Sequence, residues 1–89
     1  MHEFSLIADL LRKIEAVARE SGGKRVLAAK VKLGALSHIS ADHFRGHFND
    51  AVRGSALDGI HLDVETLTDM SDPHAQEIIL DSVEVEEDE

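Results

Sequence analysis

Two places in this 89-residue sequence put nitrogen donors close enough together to hold a metal ion. The first is the opening, where the α-amine of Met1, the imidazole of His2 and the amides of His2 and Glu3 follow one another directly. Such donors can chelate in fused rings without a folded cage, and Ni(II) favours nitrogen ligands in a square-planar arrangement. Cu(II) takes the same donors more tightly. An α-amine ordinarily titrates near about 7.7–8.0 and an imidazole near about 6.5, so a bound metal displaces protons and binding weakens as the pH falls. Glu3 could steady the cation from outside by charge or hydrogen bonding. The plainer reading is that His2 and Glu3 merely begin a helix. The metal reading needs an unextended N-terminus, and the bulk of His2 predicts that Met1 is retained. The second place is His43 and His47, spaced i, i+4, which would put both imidazoles on one side of a helix. That spacing suits a weak auxiliary metal site, against the plainer reading of two exposed histidines. No nearby Glu completes the H-E-x-x-H pattern of metalloproteases.

The remaining candidates carry less chemistry. His38, His61 and His74 stand alone in sequence and read as surface residues, although His74 has Asp72 close by. Asp63 and Glu65 would share one strand face about 7 Å apart. Paired carboxylates can do acid–base work, but a solvated sheet face explains them as well. Gly22-Gly23-Lys24-Arg25 lacks the spacing and strand-to-helix context of a phosphate loop. There is no cysteine, which excludes disulfides, thiolate zinc sites, iron–sulfur clusters and a thiol nucleophile within this sequence. No nucleophile–base constellation is visible, so the expected role is not enzymatic.

The elements that would position these groups follow from periodicity. From Glu3 to Glu20, Ile7, Leu11, Ile14 and Ala18 fall on one helical stripe, widened by Leu6, Leu10 and Val17. Ser5 is a candidate N-cap, with a start one or two residues earlier as the alternative. Ser21, Gly22 and Gly23 end the helix. Arg25 to Leu33 alternates as a strand, with Leu27, Ala29, Val31 and Leu33 on the inner face. Ser40 caps a second helix running to about Arg53, with Phe44, Phe48 and Val52 as its apolar stripe and Gly54 as its stop. Ile60 to Thr68 alternates again, with Ile60, Leu62 and Val64 inward. A polar connector holding the only proline, Pro73, leads to a β-branched strand from Glu77 to Val85. The order α-β-α-β-β predicts an α+β fold in two layers, with two helices on one face of a three-stranded mixed sheet. The first two strands, joined through a helix, are expected to be parallel. The second and third strands could form a hairpin through the connector.

Composition narrows the function classes. The chain carries 18 acidic and 9 basic residues, a formal net charge of −9 that repels phosphate backbones and argues against nucleic-acid binding. Hydrophobic residues make up 43% of the sequence, enough for a globular domain over residues 1–89, while three Phe with no Tyr or Trp leave its core to Leu, Ile, Val and Ala. Residues 86–89 read as a solvated acidic tail. No signal sequence or membrane-length apolar run is visible, so the expected compartment is the cytoplasm, with no membrane partner.

Four stretches then point to a family. Met1-His2-Glu3-Phe4-Ser5-Leu6 resembles the N-terminus of the HypA/HybF nickel-incorporation proteins of hydrogenase maturation. Lys24-Arg25-Val26 through Gly34-Ala35-Leu36-Ser37 resembles that family's strand and following Gly-x-Leu-Ser turn. The Phe44/Phe48 helix leading to Gly54 and the closing Leu80-Asp81-Ser82-Val83-Glu84-Val85 are also similar to family segments. The resemblance implies that Ni(II), one per chain, is bound at Met1, His2 and Glu3 by the amine, the imidazole and the backbone nitrogens of His2 and Glu3. It implies a metallochaperone that delivers Ni(II) during maturation of [NiFe] hydrogenase or a related nickel enzyme. The partner would be a hydrogenase-maturation GTPase or the hydrogenase large subunit. Family members carry a zinc lobe with two Cys-x-x-Cys pairs between the last two strands. Here the connector at residues 68–76 stands in that place, so no zinc is expected. The rival expectation is a metal-free interaction module of the same fold that has lost metal delivery and binds through its open sheet face or edge.

Overall fold

A computed structural model describes residues 3–87 of the chain. Five elements follow in the expected order: α1 (Glu3–Glu20), β1 (Val26–Leu33), α2 (Ala41–Val52), β2 (His61–Thr66) and β3 (Ile78–Val85). They form an α+β arrangement in which both helices and one face of a three-stranded mixed sheet share a hydrophobic core.

α1 buries Ile7, Leu10 and Ile14, with Leu6, Leu11 and Ala18 packed at the core's margin. The helix already includes Glu3, so Ser5 lies inside it and is not its cap. Its other end closes as the glycines require. Gly22 and Gly23 have φ of 89° and 75°. The Gly23 N–H reaches the Ala18 carbonyl at 2.9 Å and the Gly22 N–H reaches that of Arg19 at 3.1 Å. This six-to-one plus five-to-two pair is the Schellman ending of a helix.

α2 is capped by Ser40, whose backbone is extended and whose hydroxyl oxygen accepts from the His43 N–H at 3.1 Å. Phe44, Phe48 and Val52 bury themselves on one side of this helix. The Arg45 guanidinium donates to the Leu62 carbonyl and ties α2 to β2. Ser40→Ala is expected to lower stability by about 1 kcal/mol, because an N-terminal amide of α2 then loses its acceptor. Urea unfolding of the two proteins checks this.

The sheet corrects two expectations. β1 lies at its centre, parallel to β2 on one side and antiparallel to β3 on the other, in the order β2-β1-β3. The parallel pairing is as expected; the β2–β3 hairpin does not form. β2 and β3 meet β1 at the same end, where Thr66 and Ile78 flank Leu33. The connector therefore crosses over the C-terminal end of β1 to reach its far edge. It is fastened there: the Gly34 N–H donates to the Glu77 carbonyl at 2.9 Å and the Leu36 N–H to the Ala75 carbonyl at 2.7 Å. Ala75 itself is buried.

The second correction concerns Leu27. The register with β3 shifts between Val26 and Ala28, setting two residues of β1 against one of β3. This bulge reverses the alternation at the start of the strand, so Val26 is buried and Leu27 is 40% exposed. From Ala29 onward the expected phase holds, with Ala29, Val31 and Leu33 inward. A second shift between Lys30 and Val31 leaves Asp81 as the extra residue on β3.

Candidate metal centre

Met1 and His2 lie outside the described residues. Glu3 belongs to the first turn of α1, which Ile7 anchors in the core one turn further on. An amide at the start of a helix has no carbonyl four residues before it to bind. The amide of Glu3 therefore carries no intrahelical hydrogen bond that a metal would have to break.

The described pair of nitrogen donors is on α2. With Phe44, Phe48 and Val52 facing the core, His43 and His47 are turned outward. Their Nε2 atoms are 3.0 Å apart, and the ring centroids are 4.5 Å apart at an interplanar angle of 58°. They sit in a shallow depression with Asp42, Gly46 and Asp50. Asp50 is also paired with Arg53 at 2.7 Å. Among the described residues, no three His, Cys, Asp or Glu side chains converge as a metal cage.

The structure separates the other candidates. His38 follows the Gly34-to-Ser37 turn with φ of 60°, the left-handed region that histidine visits at some cost. His61 and Asp63 lie on the wet face of β2, beside Lys30, Ser82 and Glu84. Glu65 on the same face pairs with Lys30 at 3.6 Å, and Lys32 pairs with Asp81 at 3.5 Å. The Asp63/Glu65 face is thus a charged, solvated sheet surface. His74 does find a carboxylate, but the ring's partner is Glu77, whose hydrogen bond and charge raise the His74 pKa above its ordinary value. The Asp72 side chain instead accepts from the His74 backbone N–H at 2.8 Å. Among the described residues no polar or charged residue is buried, so no titratable group is perturbed by a dry pocket of the kind that marks many active sites.

One feature was absent from the sequence reading. The end of α1, the start of β1 and the end of α2 enclose a cleft of about 520 Å³. Leu11, Ala18, Val26, Val52 and Leu57 give it an apolar lining, and Arg19, Lys24 and Arg25 lie along it. Leu57 is buried although it stands in a loop between Gly54 and Gly59. Ala56 and Leu57, set between Gly54 and Gly59, were the only sequence signal for it.

The family model described as hydrogenase/urease nickel incorporation, metallochaperone, hypA matches residues 1–71. That span takes in the Met1-His2-Glu3 opening and the Gly34-to-Ser37 turn, and stops before β3. The hydrogenase maturation factor HypA of Moorella thermoacetica is 37% identical over 65 residues, covering 73% of this chain and 58% of that protein. Its counterpart in Methylocella silvestris is 34% identical over 65 residues with the same coverage of 73% and 58%. This chain thus spans under two thirds of the length of these relatives. A solved structure described as the solution structure of HypA protein superposes with a TM-score of 0.70 over 96% of both chains at 19% identity, a likeness of fold.

Proposed function

Since this chain belongs to the HypA family of hydrogenase and urease nickel-incorporation metallochaperones, we propose that it binds one Ni(II) at Met1, His2 and Glu3 and passes it to a maturation partner. The family match carries this reading, because it begins at the first residue and includes the donor set. The donors would be the Met1 amine, the His2 imidazole and the backbone nitrogens of His2 and Glu3. The role is capture and hand-off, with no catalytic turnover. The recipient is a hydrogenase-maturation GTPase or the hydrogenase large subunit, in the assembly of a [NiFe] hydrogenase or a related nickel enzyme.

The start of α1 bears on this chemistry in two ways, one favourable and one that the complex itself offsets. Its leading amides lack intrahelical acceptors, so deprotonating them sacrifices no helical hydrogen bond. The positive end of the helix dipole opposes a bare cation. Two amide nitrogens that lose their protons cancel the charge of Ni(II), and the complex is then formally neutral. The dipole has little net charge left to oppose.

The test is a Ni(II) titration of protein with an authentic Met1, beside His2→Ala and a form extended by residues before Met1. Tight binding of one ion to the first protein alone, with the yellow colour of square-planar nitrogen-ligated Ni(II), is the expected result. Equal binding by all three removes the N-terminal site.

A further inference from the structure

The geometry points to a second, independent metal site on the outer face of α2, where His43 and His47 would hold one Cu(II) or Ni(II) ion through their Nε2 atoms. This inference goes beyond the N-terminal reading and stands without it. The two rings are one helical turn apart on a segment whose rotation is fixed from behind by the buried Phe44, Phe48 and Val52. Ser40 fixes the same segment at its start. The pair is thus held by the fold.

The separation of the two nitrogens is within the reach of one ion. Metal–imidazole bonds of about 2.0–2.1 Å put adjacent donors of a square-planar or octahedral ion about 2.8–3.0 Å apart, and donors of a tetrahedral ion about 3.3–3.4 Å apart. The observed Nε2–Nε2 separation is 3.0 Å. That separation lets one ion reach both rings, and imidazole donors suit Cu(II) and Ni(II). Cu(II) should bind more tightly of the two, following the usual order of divalent affinities.

Asp42 and Asp50 share the depression with the two imidazoles. Asp42 adds negative charge and can accept hydrogen bonds from waters on the ion, while Asp50 is already paired with Arg53. Among the described residues no third His, Cys, Asp or Glu side chain joins the two rings in a metal cage. A hydrogen bond between one protonated and one unprotonated ring nitrogen would give the same separation without any metal, so the experiment must tell the two apart.

The probes are CuCl₂ and NiCl₂ added to the full chain carrying an extension before Met1, which removes the α-amine from the other site. One ion per chain is expected to bind, more weakly than at an authentic N-terminus. His43→Ala and His47→Ala should each lower the affinity at least about tenfold, since losing a direct donor costs no less than losing an outer partner. His61→Ala and His74→Ala should leave it unchanged. The imidazole NMR signals of His43 and His47 should be the first broadened by substoichiometric Cu(II). The site is overturned if the extended chain binds neither ion, or if the His43→Ala/His47→Ala double variant binds as tightly as its parent. Failure of His2→Ala to weaken binding in the authentic chain would count only against the N-terminal reading.

Discussion

Lowering the pH from 8 to 6 is expected to weaken nickel binding at the leading residues by about two decades if only the amine and imidazole release protons, and by about six if two amides release theirs as well. The sign follows from competition. Each donor carries a proton in the free chain and none in the complex, so every added proton favours the free chain. With ordinary values of about 7.7–8.0 and 6.5, the amine contributes roughly 40-fold over this range and the imidazole roughly fourfold. An amide stays protonated in the free chain throughout, so each deprotonated amide adds a full tenfold per pH unit. Between pH 6.5 and 7.5 the logarithm of the binding constant should therefore rise with a slope approaching 3. Competition against a chelator of known proton stoichiometry measures that slope. A slope near 1 would mean that the amides keep their protons and that Ni(II) is held by the amine with ordinary side-chain donors. A flat line would mean that the amine takes no part. Each imidazole donor adds a slope of only about 0.5 at pH 6.5, falling to about 0.1 at pH 7.5, so the profile also tells the N-terminal site from a purely histidine one.

What the sequence disclosed, and what it hid, divides along one physical line. Periodicity along a single segment was legible. It located both helices and the inward set of β2, and it placed His43 and His47 on one exposed side, because their orientation depends only on the spacing to Phe44 and Phe48. Features made by pairing between distant segments were not. The bulge that turns Leu27 outward exists because Val26 and Ala28 meet consecutive residues of β3, Val85 and Glu84. Nothing in Arg25–Leu33 alone encodes that. The hairpin expected between β2 and β3 failed for a similar reason. Antiparallel neighbours in sequence pair by default, but here the connector's hydrogen bonds to the turn after β1 carry β3 to the opposite edge. The cleft escaped notice because three elements build it and none is marked by a motif. The N-terminal donor set is a different case: Met1 and His2 lie outside the described residues, and the match at residues 1–71 shows the family, so the set stands as a proposal.

Replacing Gly34 with alanine is expected to cost about 1.5–6 kcal/mol, the sum of overpacking at about 1–3 kcal/mol and one or two weakened hydrogen bonds at about 0.5–1.5 kcal/mol each. A Cβ at this position would overlap the Ala75 carbonyl group and press on that of His74. These are backbone atoms, and they cannot swing aside as a side-chain tip can. Relief requires the connector to lift off the end of β1. Lifting it stretches the bonds from Gly34 to Glu77 and from Leu36 to Ala75, and draws the buried Ala75 outward. It also disturbs the entry of β3, since Ile78 pairs with Leu33 next to this contact. A domain of this size has a total stability of only about 4–13 kcal/mol at the usual contribution per residue, so the loss would be a large share of it. Gly46 supplies the control. It lies inside α2 with nothing near the position of an added Cβ. The same change there should stabilise the protein by about 0.5–1 kcal/mol, as alanine restricts the unfolded chain and favours the helix. Urea unfolding of both variants reads the contrast directly. Similar midpoints for Gly34→Ala and Gly46→Ala would mean that the connector does not press against the turn after β1, and the route proposed for β3 across the end of that strand would lose its main support.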